Sequence, residues 1–180
     1  MSRLRERYNK EVILSLKKDL GFKNDFQVPK ITKVVLNTGI GKFLKESSLI
    51  EAIEKDISAI AGQKAVRTKA KKSLAAFKIR EGMDIGIKVT LRGDKMYDFI
   101  DRLISISLPR TRDFKGLDPK NIDSNGNLNL GIREQIVFPE INPENARGIF
   151  GLQITIASTA KDKESAEKLF RTLGFPLKKQ

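Results

Sequence analysis

Helical and strand periodicities alternate along the chain. Leu4, Tyr8, Val12, Leu16 and Leu20 recur every four residues with Ile13 beside them, which predicts an amphipathic helix ended by Gly21. Its other face carries Arg3, Arg7, Lys10, Lys17 and Lys18, a charge run that suits a solvated surface. From Ile31 to Asn37 the period falls to two. Thr32, Val34 and Leu36 take one side and Ile31, Lys33, Val35 and Asn37 the other, a strand set between Pro29 and Thr38-Gly39-Ile40-Gly41. A second helix is expected from Ser48, where Glu51 would complete a capping box, with Leu49, Ile50, Ile53, Ile57 and Ile60 as its buried stripe and Gly62 as its end.

Gln63 to Lys69 is expected as a short strand. Ile85 to Arg92 is a clearer one, with Ile85, Ile87, Val89 and Leu91 toward the core and Gly86, Lys88, Thr90 and Arg92 away from it. A third helix follows from Asp94 to Leu108, burying Met96, Phe99, Ile100, Leu103 and Ile104 and ended by Pro109. Residues 110–147 are rich in Asn, Gly and Pro, and Ser124-Asn125-Gly126-Asn127 predicts a hairpin turn. Phe150, Leu152, Ile154 and Ile156 mark a last strand, and Asp162 to Leu173 a last helix closed by Gly174 and Pro176. The order α-β-α-β-β-α-(β)-β-α, without long linkers or repeats, predicts a single domain over residues 1–180. Its class is α+β: two layers, a mainly antiparallel sheet with helices on one face and an open polar face on the other.

Charge changes the picture from a generic sandwich to a polyanion binder. The 180 residues hold 35 Lys and Arg against 22 Asp and Glu, a net charge of +13, and so one-sided an excess points first to nucleic acid and second to anionic membranes. Cysteine and histidine are both absent, which excludes zinc knuckles, zinc fingers and every catalytic triad with a His base; no metal and no cofactor is expected. No apolar run reaches the length of a membrane span. The start, Met1-Ser2-Arg3-Leu4-Arg5-Glu6-Arg7, is basic without the apolar centre of a signal peptide. A cytoplasmic or organelle-interior location follows.

The strand parities collect a set of polar side chains on the side away from the core. Lys33 and Asn37 come from the first strand, Gln63, Arg67 and Lys69 from the second, and Lys88, Thr90 and Arg92 from the third. Amides and hydroxyls of this kind pair with base edges and ribose 2′-OH groups, while Lys and Arg hold phosphates. A solvated sheet face also explains the cations, but explains the amides and Gly86 less well. The densest basic segment runs from Lys64 to Arg80, with Lys64, Arg67, Lys69, Lys71, Lys72, Lys78 and Arg80 and no acid. Its Ala70 to Lys78 portion follows neither period and is expected as an extended loop, repelled by its own charge and suited to phosphates. Phe77 within it either stacks on an unpaired base or packs on the sheet, packing being the default.

Other motifs fail on inspection. Gly39-Ile40-Gly41-Lys42 lacks the earlier glycine and the following hydroxyl of a phosphate loop, since Leu36 and Phe43 stand there. Asp98 and Asp101 have no further carboxylates to make a two-metal nuclease and read as a helix surface. The chain is not expected to be an enzyme.

Several segments carry a resemblance. Val28-Pro29-Lys30-Ile31, Gly62-Gln63-Lys64, Thr68-Lys69-Ala70-Lys71-Lys72-Ser73 and Arg80-Glu81-Gly82-Met83 are among them. So are Lys88-Val89-Thr90-Leu91-Arg92-Gly93, Leu108-Pro109-Arg110, Arg112-Asp113-Phe114, Gly131-Ile132-Arg133-Glu134-Gln135, Phe138-Pro139-Glu140-Ile141 and Thr159-Ala160-Lys161. With these the chain resembles, over nearly its whole length, the bacterial type of the ribosomal protein family numbered five in the large subunit. Where many members read Asn-Met-Gly, this chain has Asn37-Thr38-Gly39.

The resemblance implies binding to 5S rRNA in the central protuberance of the large subunit, beside 23S-type rRNA and neighbouring proteins, through Asn37, Gln63 and Thr90. It implies a loop at about Ala70 to Gly82, with Lys71, Lys72, Ser73, Phe77, Lys78 and Arg80, that reaches the P-site tRNA. It also implies an intersubunit bridge to head protein thirteen of the small subunit, for which Arg110, Arg112, Lys115 and Arg147 are the candidates. The competing reading is a peripheral protein on anionic membranes, which requires the first helix to leave its apolar stripe exposed.

Overall fold

The four-residue spacing of the N-terminal stripe exceeds the 3.6-residue turn, so a regular α-helix would rotate the stripe by about 40° at each step. The computed structural model, which describes residues 2–44, 46–145 and 148–178, shows how the drift is absorbed. Helix α1 is built of an α segment Arg3–Arg7, a wider π turn Tyr8–Val12 and an α segment Ile13–Leu20. Leu4, Tyr8, Val12 and Leu16 all stay buried, and Gly21 ends the helix in the left-handed conformation at φ 67°. This stripe is part of the core, which removes the exposed apolar face that the membrane reading needs. No helix among the described residues is long and apolar enough to cross a membrane.

Helix α2 spans Ser47–Ala61 and buries Ile50, Ile53, Ile57 and Ile60. The expected capping box does not form: Glu46 is the N-cap, without a side-chain bond, and Ser48 lies inside the first turn. Helix α3 runs Gly93–Arg102, then a π turn Leu103–Ser107, then Leu108–Arg110. It therefore continues past Pro109, which sits inside its last turn and lacks the N–H needed to extend it much further. Helix α4 spans Lys163–Leu173, with Asp162 as N-cap accepting from the Ser165 N–H.

Five strands complete the α+β fold: β1 Ile31–Gly39, β2 Val66–Lys69, β3 Asp84–Leu91, β4 Leu128–Ile132 and β5 Leu152–Ser158. They form one antiparallel sheet in the order β2-β3-β1-β5-β4. Val34 and Leu36 of β1, Ile87, Val89 and Leu91 of β3, Leu128, Leu130 and Ile132 of β4, and Leu152, Ile154 and Ile156 of β5 are buried. They join the apolar stripes of all four helices in one core cluster. The predicted turn at Ser124 to Asn127 forms, with Asp123 accepting from the N–H groups of Asn125 and Asn127 at 2.9 and 2.8 Å. It leads into β4, a strand that the pattern of residues 110–147 does not by itself mark.

Candidate nucleic-acid interface

Residues paired across a sheet share a face, so the register states which polar side chains meet. Asn37 is opposite Lys88 on one side and Gln153 on the other, and Gln153 is opposite Gly131. The next row on the same face runs Thr90, Val35, Thr155 and Asn129. With strands about 4.8 Å apart, Lys88, Asn37 and Gln153 stand side by side, and all three are exposed. Thr90 and Lys33 are on this face and half-buried. Val35, also half-buried, makes the middle of the row apolar.

Gln63 lies outside any strand, because β2 begins only at Val66. It follows the left-handed Gly62 that ends α2, and its Nε2 donates to the Thr90 carbonyl at 3.3 Å. Asn37, Gln63 and Thr90 are therefore neighbours at one region of the sheet. Arg92 has left the strand and is the exposed N-cap of α3.

Arg67 is a correction to the expected parity. It pairs with Ile87, a core-facing residue, while Val66 pairs with Lys88 and Thr68 with Gly86. Its guanidinium turns to the helix side, donating to Glu54 of α2 at 2.8 Å with Asp84 at 3.8 Å. The Glu54 hydrogen bond and charge raise its pKa above the ordinary arginine value. The cause is register: the strand starts three residues later than expected, and Arg67 falls on the other side. A register shift after Thr68 then brings Lys69 opposite Asp84, back in the parity of Gly86 and Lys88.

The basic loop is folded, not extended. The Ala70 N–H donates to the Met83 carbonyl at 2.8 Å and the Gly82 N–H to the Ala70 carbonyl at 3.0 Å, closing its base. Leu74 and Ile79 exchange two backbone bonds around a 3-10 turn at Ala75–Phe77, and the Ser73 hydroxyl accepts from the Glu81 N–H. Phe77 is 72% exposed and Leu74 52%, so Phe77 does not pack on the sheet. The tip is an apolar knob among the basic Lys71, Lys72, Lys78 and Arg80.

Arg110, Arg112 and Lys115 lie at or beside a groove of about 430 Å³ that Arg133 and Lys178 also line. Arg147 lies outside the described residues. Asp101 is accounted for by its ion pair with Arg3 at 2.7 Å.

The sequence reading missed Asn129, Gln153 and Thr155, whose hydroxyl donates to Asn129 Oδ1 at 2.8 Å. Their signal was present as the polar half of Leu128-Asn129-Leu130 and Leu152-Gln153-Ile154-Thr155-Ile156. It also missed Gln135, which is fully buried. Its amide accepts from the Phe150 N–H and donates to the Gly148 carbonyl, holding together two ends of the segment before β5.

Residues 24–80 match the family described as ribosomal protein L5, and residues 84–177 match the C-terminus of the same ribosomal family. The large ribosomal subunit protein uL5 of Anaeromyxobacter sp. (strain Fw109-5) is 52% identical over 177 residues, 98% of each chain. That of Geobacter sulfurreducens is 51% identical over 178 residues, 99% of each chain. That of Fervidobacterium nodosum is 49% identical over 177 residues, 98% of this chain and 96% of the relative.

Proposed function

From the premise that this chain belongs to the large ribosomal subunit protein uL5 family, we propose that it binds 5S rRNA through the polar face of its sheet. At the coarser level it is a non-enzymatic, rRNA-binding constituent of the large ribosomal subunit. The observation that carries the finer reading is the row Lys88–Asn37–Gln153 with the Gln63–Thr90 pair beside it. Two amides, a hydroxyl and a cation share one side of the sheet by register, with the Gln63 amide at the backbone of β3 beside them, and this supports the reading. Such a surface recognises a folded RNA by shape, with amides on 2′-OH groups and base edges and Lys33, Lys69, Lys88 and Arg92 on phosphates.

The 70–82 loop is the proposed contact to P-site tRNA, with Lys71, Lys72, Ser73, Lys78 and Arg80 on the backbone and Phe77 free to stack on a base. Arg110, Arg112 and Lys115 are the proposed edge of a bridge to the small-subunit head protein. The whole chain is proposed as one folding unit, because β1 of the first matched segment sits between β3 and β5 of the second. Gel-shift titration of 5S rRNA against an unrelated structured RNA tests the main reading. With six to ten phosphate contacts, affinity falls by roughly 10³–10⁵ between about 50 and 200 mM salt on the duplex rule, less steeply for irregular RNA. Equal affinity for both RNAs at low ionic strength overturns it.

A further inference from the structure

Phe26 has almost no contacts: it is 94% exposed, more than any other large apolar side chain described. Yet its backbone is fixed. Asn24 Oδ1 accepts from the Phe26 N–H at 3.0 Å, a 3-10 turn spans Asp25–Gln27, and Lys17 holds Asp25 at 2.6 Å. Val28 and Pro29 directly after it are buried. A turn fixed in this way leaves a whole aromatic ring in water and forgoes the burial that such a ring ordinarily gains.

The ring borders a cleft of about 440 Å³ at the start of β1, which Phe22, Gln27, Thr159, Lys161 and Ser165 also line. Phe22 packs against the core, so the cleft has one anchored aromatic wall and one free one. Its surroundings are cationic. Lys23, Lys30, Lys161 and Lys163 are exposed and form no ion pair among the described residues. Of the acids here, Asp25 is paired with Lys17, while Asp162, which lines the cleft, keeps its charge and accepts from the Ser165 N–H and hydroxyl, so the four unpaired lysines outnumber it.

The geometry points to a second RNA contact here: the cleft receives one unpaired base of ribosomal RNA, stacked on Phe26, with its flanking phosphates held by Lys161 and its neighbours. An aromatic face takes any base, the exposed Gln27 offers its amide to the base edge, and the unpaired lysines supply the complementary charge. The contact rests on the chain being an rRNA-binding protein and is separate from the sheet face.

The chain contains no tryptophan, so Phe26→Trp in the intact protein places a single reporter at the cleft. At low ionic strength a single-stranded adenylate hexamer quenches its emission, and a duplex of the same length quenches it several-fold less. Phe26→Ala weakens hexamer binding by about 5- to 100-fold, and Lys161→Ala raises the hexamer concentration needed for quenching. Gln63→Ala leaves the quench intact, so a failure of 5S rRNA binding with a normal quench removes the sheet reading alone. An emission unaffected by the hexamer, equal quenching by duplex, wild-type binding by Phe26→Ala, or a response only to RNA-free ribosomal proteins overturns the proposal.

Discussion

The side-chain amide of Gln63 donates to the backbone carbonyl of Thr90 across 3.3 Å, tying a residue that belongs to no strand to the backbone of β3. The bond uses one of its two N–H donors and leaves the amide oxygen available to a ligand. Gln63→Ala is expected to leave the far-ultraviolet spectrum and melting temperature unchanged, because the residue is exposed. The 5S rRNA affinity should fall by about 3- to 10-fold, the worth of one hydrogen bond. Unchanged affinity in a gel-shift titration removes Gln63 from the interface. Arg67→Ala is the internal control: its guanidinium faces Glu54, so it should alter RNA affinity less than Lys88→Ala does.

Replacing Lys71, Lys72 and Lys78 together by alanine should separate two RNA contacts. The loop closes on itself through Ala70, Met83, Leu74 and Ile79, and the three lysines make no ion pair among the described residues. The variant should keep its fold and its 5S rRNA affinity. For tRNA, the slope of log K against log salt should fall by about 2, roughly 0.7 for each lost contact. Collapse of 5S rRNA binding would show that loop and sheet are one site.

What could be read beforehand depended on whether one periodicity decided it. The stripe Leu4, Tyr8, Val12, Leu16 and the alternation Ile85 to Leu91 each contain their own answer, and both elements form where expected. Placing Asn37 and Thr90 on one face needed only the parity of two strands. Arg67 needed the starting residue of a four-residue edge strand and the irregularity after Thr68, and a one-residue change of register inverts a face. The π turn in α1 left a trace in the strict spacing of four, which a regular α-helix cannot hold on one face, whereas the mixed spacings of three and four in α3 fit an α-helix and left none. Gln135 was hidden for another reason: its partners, Gly148 and Phe150, are set by tertiary structure and leave no local pattern.

Asp123 gives a pH dependence of defined sign. Burial pushes its pKa up, but bonds from the Asn127 and Asn125 N–H groups and the Asn127 side chain favour the charged form and hold it below the ordinary value. A carboxyl depressed in the folded state contributes stability above its unfolded pKa of about 3.9 and loses it as pH falls through the lower folded value. Asp123→Asn should therefore melt below the wild type by a constant margin from about pH 7 to 5, and the margin should narrow below about pH 4. A margin that stays flat down to acid unfolding would show that the charge contributes nothing to the turn.

Gly86 separates a packing explanation from an RNA explanation for the same residue. A Cβ there would lie 2.7 Å from Thr68 Oγ1 and 3.1 Å from the Thr38 carbonyl oxygen. The first neighbour is a side chain on the short edge strand β2, and the second is backbone in the centre of the sheet. If RNA approach alone required glycine, Gly86→Ala would leave the free protein as stable, or firm it by about 0.4–1 kcal/mol through loss of unfolded-state freedom. The contacts predict the opposite, a loss of about 1–3 kcal/mol without RNA present. Thr68→Ala added to Gly86→Ala removes the closer contact and should recover part of that loss, while the Thr38 carbonyl keeps the rest. Urea unfolding of the wild type, both single variants and the double variant measures the coupling directly. Strict additivity would mean that the two residues do not meet, and the glycine would then have to be explained by its ligand.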